Sequence, residues 1–126
     1  MAKKEFTFRG MTIEEVQKLS LKDFMKHIPS RARRSLERGF TEQQKLLLEK
    51  IRAGDRVKTH CRDMVVIPEM LGKTIKVHSG KEFADVVITG EMLGHFLGEF
   101  ALTRRGVHHS APGIGATRSS AGVSVR

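Results

Sequence analysis

The first half of the chain is divided into short lengths by helix start and stop signals, and this punctuation constrains the fold more than any other feature. Thr12 with Glu15, and Thr41 with Gln44, have capping-box spacing: a hydroxyl accepts the amide three residues on, and that residue's side chain reaches back. Ser20 with Asp23 repeats the start signal, and Ser30 is placed to cap a further helix. Pro29, Gly39 and Gly54 supply the stops. A long helix before residue 54 is therefore excluded. Short ones are predicted through Val16 to about Leu19, from Leu21 to Ile28, from Ser30 to Arg38, and from Thr41 to Gly54. Their apolar residues recur at helical spacing: Leu21, Phe24, Met25 and Ile28 form one stripe, and Leu47, Leu48 and Ile51 another. Residues 1–10 are expected to form an extended basic arm.

Beyond Gly54 the period changes. Met64–Ile67 is a β-prone run ended by Pro68. Thr74–His78 alternates, with Ile75 and Val77 on one face and Lys76 and His78 on the other. Ser79-Gly80 is a turn signal and Lys81–Ile88 reads as the returning strand, which gives a hairpin within a small sheet of three strands. Leu93, Phe96, Leu97 and Phe100 have helical spacing interrupted by Gly94 and Gly98, so a short helix and a turn are expected. From Thr103 onward there is no Asp or Glu. A basic stretch so rich in Gly and Ser has little with which to build a core and is expected to be disordered alone in water. The fold class is thus α+β: N-terminal short helices, a three-stranded sheet with a hairpin, and an extended basic C-terminal tail. The parts are residues 1–54 (arm and helical segment), 55–102 (α+β core) and 103–126 (flexible tail).

The charge bears on what such a fold would meet. In 126 residues, 23 Lys and Arg face 14 Asp and Glu, a formal charge of +9. That balance points to a polyanion such as nucleic acid or an anionic membrane surface. With no Trp or Tyr and seven Phe, stacking platforms are hard to build, so contact with nucleic acid is expected mostly at phosphates and sugars. Cys61 is the single cysteine, which excludes an internal disulfide and suits a reducing cytoplasm. No apolar run approaches the roughly 20 residues of a membrane span, and no signal-peptide pattern opens the chain.

The positive charge falls in three clusters. Arg31, Arg34 and Arg38 share a helix face, with Arg33 beside them, and forked guanidinium donors suit a phosphate backbone. Solvation is the commoner fate of a charged face, but four Arg against one Glu favour the phosphate reading. Arg56, Lys58, His60, Arg62, Lys73, Lys76, His78 and Lys81 form the second cluster, opposed by Asp63 and Glu69 alone. A sheet that buries one face could offer the other to RNA, although a plain solvent face explains the pattern as well. The third cluster is the tail, with Arg104, Arg105, His108, His109, Arg118 and Arg126. Catalytic chemistry finds little support. His60 and Cys61 are strand neighbours and would point to opposite faces. No zinc-ligand spacing is present among the six His and one Cys. Pro112–Thr117 follows no convincing strand and opens no helix, so it is not read as a phosphate loop.

The stretch from Arg62 to Gly72 resembles the first strand and turn of universal small-subunit ribosomal protein nineteen. The likeness continues through Ser79-Gly80-Lys81, Ile88, Glu91–Phe100 and Thr103. Phe8-Arg9-Gly10, Pro112–Thr117 and Ser119-Ser120 resemble the archaeal and eukaryotic branch of that family, which includes eukaryotic small-subunit protein fifteen. The compact length favours an archaeon. The resemblance implies a cytoplasmic, non-enzymatic protein of the ribosome without a cofactor, bound to the 3′ domain of small-subunit rRNA in the subunit head. It further implies small-subunit protein thirteen as a neighbour, contact with the large subunit across an intersubunit bridge, and a tail near the decoding region and the tRNAs. Lys58, His60, Arg62, Lys73, Lys76, His78 and Lys81 are the core RNA-contact candidates. Arg104, Arg105, His108, His109 and Arg118 are the tail candidates, and Arg31, Arg33, Arg34 and Arg38 rest on charge. Gly94 and Gly98 are expected to allow close backbone approach, and Phe100 to pack in the core. The rival reading is a free RNA- or DNA-binding regulatory module, but the base-reading helix or stacking aromatics it would need are not evident.

Overall fold

A computed structural model describes residues 4–108 and 118–122 of the chain. The four early helices fall where their caps place them: α1 (Ile13–Lys18), α2 (Leu21–Lys26), α3 (Ser30–Glu37) and α4 (Glu42–Ala53). Capping boxes close the starts of α1, with Thr12 and Glu15, and of α4, with Thr41 and Gln44. The Ser20 hydroxyl accepts the Asp23 amide at the start of α2. Ser30 differs from expectation. It is the first helical residue of α3, the cap position is Pro29, and no side chain accepts a first-turn amide. Pro29 lacks an N–H and holds an extended backbone, so it can end one segment and precede the next without a capping hydroxyl.

The arm reverses instead of extending. Phe8 and Met11 exchange two backbone hydrogen bonds of 2.8 and 2.9 Å. Arg9 and Gly10 turn between them at φ of 51° and 84°, as a tight hairpin turn with both central residues at positive φ requires. The turn lays the Phe8 ring against Phe24 at 6.0 Å.

The sheet has three strands, β1 (Val57–Thr59), β2 (Thr74–His78) and β3 (Phe83–Val87), in that spatial order. β1 runs parallel to β2, with Lys58 beside Lys76. β2 and β3 form the antiparallel hairpin, with His78 opposite Phe83 and Lys76 opposite Asp85. The hairpin turn is longer than the Ser79-Gly80 signal suggests. Ser79 donates its amide to the Glu82 carbonyl at 2.8 Å, so Lys81 lies in the turn and β3 starts at Phe83.

Met64–Ile67 is not a strand of this sheet. It lies in the crossover between the parallel strands and is buried at every position. It pairs instead with the segment from Gly94 to Gly98. The Val66 amide donates to the His95 carbonyl and Gly94 to Val66, while Leu97 donates to Met64 and Gly98 to Arg62, all within 3.1 Å. Burial on both sides explains the unbroken apolar run, and satisfaction by a loop explains why the run joins no ladder. The helical spacing around Leu93–Phe100 resolves into two 3-10 turns, Gly90–Met92 and Leu97–Phe100, separated by a turn at Leu93-Gly94, a bend at His95 and an extended Phe96. Gly94 stands at φ +78°, where a Cβ would sit 3.0 Å from the Ile28 side chain. At Gly98 a Cβ would meet Arg62 at 3.0 Å. Both glycines therefore serve close approach, and Phe100 packs half-buried against the core.

One apolar cluster unites these pieces. It takes Val16, Phe24, Ala32 and Leu36 from α1–α3, Leu47, Leu48 and Ile51 from α4, and Ile75, Val77 and Val86 from the inner face of the sheet. Met64–Ile67, Met70, Ile88 and Leu97 fill the space between. The core thus crosses from the helical half into the sheet half without a gap. Beyond Ala101, residues 102–108 are exposed and form no regular element. Arg118–Ala121 makes one helical turn, α5, which the Gly- and Ser-rich composition did not signal. His109, Pro112–Thr117 and Arg126 lie outside the described residues.

Candidate nucleic-acid interface

The strand period divides the sheet into a wet and a dry side. In β2, Ile75 and Val77 are buried while Thr74, Lys76 and His78 are half-buried. The pairing register then carries the same alternation across its neighbours. On the open face, Lys58 of β1 lies beside Lys76 of β2, which lies opposite Asp85 of β3. One row further on, the rings of His60, His78 and Phe83 gather. His60 and His78 are 4.5 Å apart between centroids, and Phe83 stands edge-on to them at 5.2 and 4.9 Å. The Lys58 ammonium sits 5.4 Å from the Phe83 centroid, within cation–π range. Lys76 forms a 3.5 Å ion pair with Asp85, which offsets part of its charge. Lys81 is exposed in the hairpin turn.

Not every basic side chain predicted to meet RNA is free to do so. Arg62 donates to three carbonyls, those of His78 at 2.6 Å and of Gly98 and Ala101 at 2.8 Å, and so ties β2 to the C-terminal 3-10 turn. Arg33 turns inward from α3 and donates to the carbonyls of Met25 and Ile28 at 2.9 and 3.2 Å, closing the end of α2. The Lys73 ammonium donates to the Ile51 carbonyl near the end of α4. In each case a buried or helix-terminal carbonyl gains a charged donor. Arg105 pairs with Glu82 at 2.5 Å, while Arg104 and His108 are exposed. Arg118 is exposed in α5.

Arg31, Arg34 and Arg38 do present an exposed row on α3, opposite the buried Ala32 and Leu36. Arg31 and Arg38 border an open depression together with Ser35, Thr41, Asp63 and Phe96. A second groove, of about 310 Å³, runs between α4 and β1 and is lined by Gln43, Leu46, Lys50, Lys58 and His60, with no acidic residue among its described lining. Gln43, Lys50 and Phe83 do not stand out as candidates in the sequence. The α4 residues show no charge cluster of their own, and Phe83 joins the histidines only through the hairpin register.

Asp55 organises the edge of this surface. Its carboxylate accepts the Thr74 amide at 2.6 Å, which fixes the start of β2 beside the turn into β1. That bond, and one from the Arg56 amide, hold the carboxyl below its ordinary value of 3.8. Arg56 itself takes a left-handed backbone at φ 57°. On the helical side, Arg52 of α4 grips Glu69 with two bonds of 2.9 and 3.2 Å. That ion pair raises the guanidinium's pKa and leaves it poorly placed for a phosphate.

Exposed Arg and Lys on a helix face and an open sheet face, over one continuous core, define a small α+β protein of the RNA-binding class. Residues 34–109, more than half of the chain, match the profile of a family described as ribosomal protein S19, and the chain belongs to that family. It is therefore a structural protein of the ribosome that binds rRNA, in a class that is not enzymatic.

Proposed function

We propose that this chain binds the 3′ domain of small-subunit rRNA in the subunit head and stabilises it where RNA helices pack. The open sheet face carries the reading: Lys58, His60, Lys76 and His78 stand on one side of strands whose other side is sealed in the core. The exposed arginine row of α3 adds a second run of phosphate donors. The likeness of Phe8-Arg9-Gly10 and of Ser119-Ser120 to the archaeal and eukaryotic branch supports placement there. On that reading the chain is cytoplasmic and rides on the ribosome. Its partners are the neighbouring head protein thirteen, the large subunit across a bridge, and tRNA near the decoding region. Residues 103–126 form the part that reaches toward that region, and residues 55–102 form the part anchored to rRNA.

Reconstitution on transcripts of the separate rRNA domains tests this. The chain should be retained on the 3′-domain transcript through a moderate salt wash and washed off a 5′-domain transcript. Removal of residues 103–126 should leave that retention in place. Equal retention on both transcripts would overturn the assignment to the head.

A further inference from the structure

The open face holds more than charge. Sequence composition argues against a stacking platform, yet the register of three strands assembles one from His60, His78 and Phe83. The ring cluster is asymmetric in exposure: His60 is exposed, while His78 and Phe83 are half-buried behind it. The His78 ring is fixed by accepting the Gly80 amide at its Nδ1, 3.1 Å away. Phe83 is fixed edge-on to both histidines. The outermost ring therefore rests on a prepared support and leaves a surface for a further ring. Cationic side chains flank the cluster, with Lys76 also paired to Asp85. Lys58 and Lys76 offer donors for phosphates in the adjoining row. The groove beside His60 adds Lys50 and Gln43 above the apolar Leu46, which is 55% exposed.

We propose that this cluster takes an unpaired RNA base, stacked on His60, with its flanking phosphates held by Lys58 and Lys50. The proposal rests on the rRNA-binding reading above and deepens it from phosphate contact to recognition of a single-stranded or bulged nucleotide. A duplex keeps its bases stacked inside and cannot use such a site, whereas loops and bulges offer bases to His and Phe rings. A lone solvated histidine would not need two supporting rings, and a purely ionic surface would not need an exposed leucine beside its lysines.

Salt dependence separates stacking from charge. Removing one phosphate-binding cation reduces the log–log slope of affinity on salt by about 0.7 to 0.9, whereas removing a stacking ring leaves the slope alone. Full-length chain would be titrated with small-subunit rRNA over a series of KCl concentrations. His60→Ala should weaken binding roughly tenfold, in line with the loss of one base stack, with the slope unchanged. Lys58→Gln should lower the slope. His60→Trp should restore affinity. Because the chain has no Trp, it also gives a single reporter whose emission should be quenched as rRNA binds. If His60→Ala binds like wild type, or the His60→Trp emission stays constant through a saturating titration, the stacking site is overturned while rRNA binding stands. If wild type shows no salt-dependent binding to rRNA, the underlying reading of this face falls as well.

Discussion

Arg62 shows how a basic residue can belong to an RNA-binding surface in sequence and to the fold in structure. Its guanidinium is satisfied by three main-chain carbonyls, and Gly98 packs directly over its stem. Truncating it would remove a charged donor from all three carbonyls and leave Gly98 with only the longer bond from the Ala101 amide at 3.4 Å. Arg62→Met is expected to cost about 3 kcal/mol of stability, the scale of losing charge-assisted bonds in a half-buried setting. Arg34, exposed on α3, should behave in the opposite way: Arg34→Met should move stability by less than about 0.5 kcal/mol while weakening rRNA binding. Urea denaturation of both variants checks the contrast. Equal stability losses would mean that the inward and outward arginines are not distinguished as the geometry says. Helical phase sets Arg33 off the face of Arg31, Arg34 and Arg38, but nothing in the sequence shows that Arg62 turns inward, because that depends on carbonyls contributed by residues up to 39 positions away.

Elements were legible where their signals are local. Thr12, Ser20 and Thr41 announce the starts of α1, α2 and α4, and each hydroxyl accepts the amide expected of it. The faces of β2 follow from the alternation of Ile75 and Val77 with Lys76 and His78. Strand partnership was not legible in the same way. Met64–Ile67 has the composition of a strand, but its hydrogen bonds go to Gly94–Gly98, while the short and mixed Val57–Thr59 takes the place beside β2. A two-residue Ser79-Gly80 turn would set Lys81 opposite His78, and the longer turn sets Phe83 there instead. The step of two preserves the faces and changes the pairs, so the wet side was readable while its ring cluster was not.

Asp55 holds β2 at this same scale, and its effect should depend on pH. Its folded carboxyl titrates below the ordinary value of 3.8, so the folded state binds fewer protons than the unfolded state in the acid range. The stabilisation is complete above 3.8 and is lost as pH falls through the folded-state value. Asp55→Ala should therefore lower Tm at neutral pH, and the gap from wild type should narrow as the pH is taken below 3.8. Thermal unfolding followed across that range checks it, and a gap that stays constant would show that the carboxylate's charge is not what holds Thr74.

At the scale of the whole molecule, a continuous core joins the helical half to the sheet and leaves two basic faces outside it. The polyanion partner was legible in the net charge of +9 and its clustering, and the family in the ordered series from Arg62 to Thr103. That Arg33, Arg62 and Lys73 turn inward was not, because it depends on carbonyls that the fold brings to them from other segments. The acidic side chains Glu5 of the arm and Glu14 of α1 line a different region around Phe6 and Ile13, which gives the molecule a side less suited to phosphate. Ultraviolet crosslinking of intact ribosomes, with mass spectrometry of the RNA-bound peptides, tests the account most directly. Crosslinks should fall on residues 31–38, 58–60 and 76–83; crosslinks confined to residues 5–25, with none on α3 or the open sheet face, would contradict it.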